Sequence, residues 1–295
     1  MSDSRQVCKS LRDLVDERPP ASKAIFLKIS ADANDGFKTF KASLSFDGRC
    51  VLKNGSVEQA MQGLTRAVSN PRTRLKEFKI HVIQHSEWQN EREVEARKTC
   101  FAQIKDVLST MPRGTLDVEQ LVMQVKNQDE MLSILPYMTP GVLESIEIGD
   151  IEYNGPEIVF RTRRLATREL IELEQWKRVK RMIIMRFVVQ FPIQNITHFR
   201  EAIIHMTSIS MKQLQVLRDA VLSMPDFARV VLVSTKTIDI DSIDEHLGLP
   251  IPQPPESPGL YRRYPVPDSD DHVLEISILP GSVLMVRNLK TDLLY

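Results

Sequence analysis

Excess charge of either sign is missing: 39 Lys and Arg stand against 39 Asp and Glu, for a net charge of zero. A neutral chain has no overall pull toward a phosphate backbone, so dedicated nucleic-acid binding is not expected and only local patches remain. No apolar run approaches the roughly 18 residues that a membrane helix needs. The N-terminus, MSDSRQVCKS, lacks an apolar h-region, so no secretory signal is expected. Cysteine is scarce: Cys8, Cys50 and Cys100 are far apart and odd in number. Together these point to a reducing compartment, the cytoplasm or nucleus, with the thiols buried in the core. The sequons at Asn54 and Asn195 then read as chance matches, because glycosylation needs the secretory route.

Chemistry-bearing motifs are missing too. The chain has no glycine-rich strand-to-helix turn, nucleophile elbow, Walker loop or zincin motif. His81 and His85 are spaced H-x-x-x-H, but the pair straddles the end of a predicted strand, where i and i+4 diverge, and no third ligand lies near. His198 and His205 read as ordinary strand residues. The expectation is therefore a non-enzyme with no catalytic residue, cofactor or metal.

What is present is globular: 42% hydrophobic and 26% charged residues over 295 positions, enough for roughly two domains of about 150 residues. Val7, Cys8, Leu11, Leu14 and Val15 fall on one face of a short N-terminal helix, closed by Pro19-Pro20. Residues 37–53 partly alternate around Asp47-Gly48, which predicts a hairpin. Ser56 and Gln59 make a capping box at the start of a helix that stops at Asn70-Pro71. Further helices are expected near 91–110, 127–135, 167–177 and 210–222.

Between the helices one pattern recurs, apolar-x-x-apolar-x-apolar. It runs through Leu75-Phe78-Ile80, Val118-Leu121-Met123, Leu143-Ile146-Ile148, Val179-Met182-Ile184, Phe199-Ala202-Ile204 and Phe227-Val230-Leu232. A short strand plus a helix or loop per unit predicts an α/β fold, a leucine-rich-repeat-like open solenoid of helix–strand units. The rival is a doubly wound open sheet, which the missing glycine-rich turn disfavours. Residues 250–267 hold 7 of the 17 prolines and read as a loop; 273–288 read as a closing hairpin turning at Pro280-Gly281.

RQVCKSLRDLVDERPP (5–20) resembles the tail of an F-box. LKEFKIHV (75–82), LEQWKRVKRMII (173–184), FPIQNITHFREAIIHMTSISMKQL (191–214), VLSMPDFARVVL (221–232) and YPVPDSDDHVLEISI (264–278) resemble the FTH domain, the F-box-associated domain expanded in nematodes. The resemblance implies the substrate-recognition part of an SCF-type ubiquitin ligase, with a protein target and the Skp adaptor as partners. It divides the chain into an F-box remnant (1–20, with Val7, Leu11, Leu14 and Val15), an FTH-type repeat domain (21–249) and a closing segment (250–295). The alternative is a truncated FTH-type protein-binding solenoid with no ligase link, since only the last F-box helix is matched.

Period-two geometry nominates a binding face. Its residues are Lys79, His81, Val122, Gln124, Glu147, Ile183, Met185, Ile203 and His205, on the side of the strands opposite the helices. Several are apolar, which on an uncovered sheet marks a partner site unless a loop, such as the proline-rich segment, covers it. The densest basic run, Arg161, Arg163, Arg164, Arg168, Lys177, Arg178, Lys180 and Arg181, reads either as a solvated helix face or as a patch for an acidic partner or RNA. Trp176 on that helix reads as a core anchor.

Overall fold

Asp47 and Gly48 both take positive φ, 48° and 76°, as a two-residue type I′ turn requires. They join β2 (Phe40–Phe46) to β3 (Arg49–Ser56) as the antiparallel hairpin that the sequence predicts. The computed structural model describes residues 23–31, 40–70, 73–83, 91–149, 163–239, 243–248, 259–267 and 269–289. The fold is mixed α/β, with thirteen strands among the described residues. It divides into two compact units, one drawn from residues 1–160 and 173–178, the other from 161–172 and 179–295.

In the first unit the hairpin continues into β1 (Lys23–Ala31), antiparallel to β2. β1 is followed in parallel by β4 (Arg74–Ile83), β5 (Asp117–Gln124) and β6 (Ser145–Gly149). Helix α1 (Val57–Val68) covers β2 and β3. The Ser56 hydroxyl accepts from the Gln59 N–H at 3.2 Å, and Gln59 Oε1 accepts from the Ser56 N–H at 3.0 Å, which is the predicted capping box. Helix α2 (Glu91–Leu108) follows β4, and the short α3 (Gln128–Leu132) follows β5.

Buried Arg97 of α2 fastens this unit. Its guanidinium pairs with buried Glu130 of α3 at 2.6 and 2.8 Å, and donates to the carbonyls of Val82 and, at 2.9 Å, Gln124. One cation thus ties the ends of β4 and β5 to two helices. Both charges are almost fully enclosed, so loss of either side chain would leave the other buried without its ionic partner.

In the second unit, β7 (Arg163–Leu165), β8 (Arg181–Val189), β9 (Glu201–Met206) and β10 (Arg229–Ser234) are parallel. β13 (Ser282–Leu289), β12 (His272–Leu279) and β11 (Leu260–Pro265) then add antiparallel strands to β10. β12 and β13 are the predicted closing hairpin. Helix α5 (Met211–Leu222) repeats the α1 device: Ser210 and Gln213 form a second capping box, at 3.3 and 2.9 Å. The five-residue α6 (Ile243–Leu247) ends on three donated side chains. Arg218 donates to the His246 carbonyl, Tyr264 to that of Leu247, and Arg262 to that of Gly248. These satisfy carbonyls that a helix C-terminus leaves without partners.

All three apolar positions of all six repeats are buried. Within the first unit Phe78, Leu121 and Ile146 are direct cross-strand partners; within the second Met182, Ala202 and Val230 are. In the last four repeats the first apolar residue lies just ahead of its strand, which explains a three-residue step inside a period-two pattern.

Four expectations are corrected. The single helix over 167–177 is a 3-10 turn, Leu170–Glu172, and a separate five-residue α4, Glu174–Arg178, assigned to different units. Its buried anchors Leu170 and Trp176 are six residues apart, about 120° around a helix, so one straight helix could not bury both. The basic run is accordingly no helix face: Arg163 and Arg164 lie on β7, Lys177 and Arg178 on α4, Arg181 on β8. Residues 260–265 of the proline-rich stretch form a strand, β11, which ends the strand order beside β12, so Pro265 sits on an edge strand, where a missing N–H is tolerated. Cys50 is exposed rather than buried. A register shift pairs it with Ser45 while Leu52 pairs with Leu44, so the bulge sends Cys50 to the opposite face from Leu52. Cys100 and Trp176 are buried as expected, and burial pushes the Cys100 thiol up to about 11.

Candidate functional site

With one side of each strand committed to the core, the alternate residues make an open face in each unit. In the first unit a cross-strand row runs Ser45, Phe26, Lys79, Val122, Glu147. The adjacent row includes Ala24, Glu77 and Gln120. Together they line a hollow of about 590 Å³, with Gly48 and His81 also on its wall. The hairpin tip is fixed beside it, because Asp47 both accepts from the Ala24 N–H through its carboxylate and donates its own N–H to the Ala24 carbonyl, each at 2.9 Å.

The floor of this hollow is apolar and its walls are charged. The Phe26 and His81 rings meet edge to face, 4.9 Å between centroids at 79°. Lys79 pairs with Glu77 at 2.9 Å. Burial lowers the His81 pKa below its ordinary value, and the nearby positive charges of Lys79 and Lys28 lower it further, so the imidazole is neutral at pH 7.

In the second unit the open face carries a different pattern. Ile183, Ile203, Val231 and Leu284 are successive cross-strand partners over β8, β9, β10 and β13. Ile183 is nearly closed off at 7% exposure, Leu284 reaches 39%, and nearby Met185 reaches 44%. One pair toward the strand starts, the row is Arg181, Glu201, Arg229. Arg181 Nε donates to Glu201 Oε2 at 3.0 Å, while Arg229 holds Oε1 at 2.7 and 2.9 Å. Burial raises the Glu201 pKa, but the hydrogen bonds and charges of Arg229 and Arg181 outweigh it and leave the carboxyl below its ordinary value. One pair toward the strand ends stand Val188, His205, Val233 and Ser282. Burial lowers the His205 pKa.

The nominated residues therefore separate. Lys79, His81, Val122 and Glu147 meet in the hollow of the first unit. Ile183, Ile203 and His205 lie on the open face of the second unit. Met185 falls within a bulge of β8, where the five-residue step from Ile183 to Val188 matches the two-residue step from Ile203 to His205 of β9, and Arg186 takes φ 66°. Gln124 is buried at the end of β5, its carbonyl held by Arg97. Val7, Leu11, Leu14 and Val15 lie outside the described residues, as does His85. The sequence reading missed Phe26, Val231 and Leu284. Each was open to the same rule: KAIFLKISA alternates cleanly around Ile25, Leu27 and Ile29, and the strand register extends from Ile203 to Val231 and Leu284.

The fold is of the mixed α/β class, with an open, side-chain-lined sheet face in each unit. The model of the FTH domain matches residues 98–249, more than half of the chain, and the chain belongs to the FTH-domain family. No curated protein is similar enough to match, and no solved structure is either. No helix among the described residues is long and apolar enough to cross a membrane.

Proposed function

We propose that this chain is a non-catalytic protein-recognition module, and that it serves as the substrate-recognition part of an SCF-type ubiquitin ligase. The observation that carries the recognition reading is the open face of the second unit. Four apolar side chains stand there in one cross-strand row, beside a row of paired charges. An apolar centre with a polar border is how protein interfaces are composed. The hollow of the first unit adds a second contact point, where Phe26 and Val122 lie between Lys79, Glu77 and Glu147. In this reading the helix–strand units act as a leucine-rich-repeat-like solenoid, residues 1–20 dock the Skp adaptor, and the protein works in the cytoplasm or nucleus.

The family membership supports the recognition role, and the F-box-like stretch 5–20 supports the ligase link. Two measurements test them separately. Cross-linked affinity capture with the full chain should identify a target whose recovery falls when Ile203 and Leu284 are both changed to Asp. Equal recovery would sink the recognition face. Calorimetric titration of the full chain with the Skp adaptor should show saturable binding. Its absence would leave the alternative, a target-binding protein with no ligase link.

A further inference from the structure

We propose that a hollow at the carboxyl ends of β7, β8 and β9 docks an acidic segment of a protein partner, its carboxylates on Arg164 and Arg168 and an adjoining apolar side chain against Ile171 and Pro192. The inference rests on the protein-recognition reading and names the chemistry of the partner.

The hollow is a product of strand order. β7 runs parallel to β8, with Arg164 opposite Val188 and Leu165 opposite Val189, and Val188 in turn stands opposite His205 of β9. Leu165 and Val189 are committed to the core, so Arg164 is displayed on the other side, in the row that continues through Val188 and His205. The segments that leave the three strands complete the lining: residues 166–168 after β7, 190–192 after β8 and Thr207 after β9. The Ile171 N–H donates to the Thr167 carbonyl at 3.1 Å, a turn that brings Arg168 and Ile171 to the same hollow. Crevices beyond the carboxyl ends of parallel strands are where open α/β sheets present ligand sites.

The charge of this hollow is uncompensated. Its lining holds two arginines and no acidic residue. Both arginines are exposed, and neither has a hydrogen bond or ion pair among the described residues. The rest of the described basic run is engaged: Lys177 and Arg178 with Glu174, Arg181 with Glu201, and Arg163 and Lys180 in contacts of their own. Glu169 and Glu172, the nearest carboxylates along the chain, are engaged as well and do not line the hollow. A guanidinium keeps its charge at any physiological pH, and its fork of donors matches a carboxylate.

Volume and lining select the occupant. The hollow measures about 540 Å³, within the ~300–1,000 Å³ of ligand pockets, so it has room for neighbouring side chains beside an anionic group. Ala166 and Pro192 are exposed and Ile171 is half-buried, an apolar wall that a bare anion would leave in water. A single-stranded nucleic acid needs aromatic faces on which to stack its bases, and the one aromatic residue of the described lining, Phe191, is only 5% exposed. Acidic residues beside an apolar one satisfy both the arginines and the wall.

Selection of a displayed library of random 12-residue peptides against the full chain tests the proposal. Winning sequences should carry two or more Asp or Glu beside Leu, Ile or Phe. The double variant Arg164→Glu, Arg168→Glu should lose that enrichment with Tm unchanged, because both side chains are exposed and unpaired. A dye-labelled winning peptide, followed by fluorescence anisotropy, should bind the double variant Arg164→Gln, Arg168→Gln roughly tenfold more weakly than the parent chain, and the parent chain's affinity should fall as salt is added. Ala166→Glu should weaken the peptide by a similar factor, because it sets a carboxylate in the hollow. No acidic enrichment, enrichment unchanged in the Glu double variant, or displacement of the peptide by an equal concentration of oligouridylate or inorganic phosphate would overturn the proposal. A photo-cross-linker placed at Ala166, at Ile203 or at Val122 separates the failures during target capture. Cross-links at Ile203 or Val122 without any at Ala166 leave protein recognition standing and remove this pocket; cross-links at none of the three remove both.

Discussion

The two units obey one strand rule and present opposite surfaces. In the first, the open side of the strands is a hollow with ionic walls, Glu77, Lys79 and Glu147 around Phe26 and Val122. In the second, it is an apolar row from Ile183 to Leu284 with ion pairs along one border. Their helices begin alike: α1 and α5 both carry a Ser–Gln capping box, and each C-cap is a serine. Their fastenings differ again. Arg97 and Glu130 are both buried, whereas Arg262 is buried but its partner Asp244 is exposed. Alternation decides which residues are displayed, while their identities decide what the display can hold, and the second is free to diverge once the first is fixed.

The largest test of this contrast is at the two fastenings. Glu130→Gln should cost about 3–5 kcal/mol, because it strands the buried Arg97 charge. Asp244→Asn should cost only ~1–2 kcal/mol, since Arg262 keeps its carbonyl partners Gly248 and Tyr261. Urea unfolding of both variants checks the order; equal losses would erase the difference.

Next comes the core against the open face. Leu121→Ala and Met182→Ala, one in each unit, should each cost about 2–5 kcal/mol through lost burial and the cavity left behind. Leu284→Ala should stay within about 0.5 kcal/mol. A large loss at Leu284 would mean that its face is part of the core.

The caps should behave as equals. Ser56→Ala and Ser210→Ala should each lower stability by ~1 kcal/mol. A clear inequality would show that one helix depends on its cap and the other on its packing.

The smallest effect is in the titrations, and it sharpens the contrast between the faces. The folded pKa values of His81 and His205 lie below the ordinary 6.5. As pH falls through 6.5 the unfolded chain takes up protons first, so stability declines until the folded imidazoles titrate as well. Glu201, held below the ordinary 4.5, adds a second loss at lower pH: its contribution is complete above 4.5 and disappears as pH falls through its folded value. His81→Gln and His205→Gln should each flatten the upper limb, and Glu201→Gln the lower one. Added salt should move the His81 titration part of the way back toward 6.5, because Lys79 and Lys28 contribute to its shift. It should leave His205 in place, where burial alone acts. NMR titration at two salt concentrations distinguishes the two histidines.

Legibility followed the range of the signal. The Asp47-Gly48 turn, the Ser56 cap and the closing hairpin at Pro280-Gly281 are local devices, and each appears where its residues predict it. The six apolar triplets gave both the strands and their register, since a residue buried on one side leaves its neighbours on the other. β1 went unread because its pattern stands alone, outside the helix–strand rhythm, and β11 because prolines masked a six-residue strand. The stretch 167–177 misled because its polar residues suit a helix while its anchors, Leu170 and Trp176, lie on different sides of one.

The sequence by itself determined the alternation, the turns, the caps and the family, because each depends on residues near one another along the chain. Only the tertiary structure decided which open-face residues meet. Phe26 comes beside His81, and Val231 and Leu284 extend the Ile183–Ile203 row, through pairings between strands that are far apart in sequence. It also decided that Arg97 and Glu130, 33 residues apart, form one buried ion pair, and that Cys50 turns outward on a bulge. The physical reason is the same in each case: strand order and register join distant segments, and no local pattern encodes which segment becomes a neighbour.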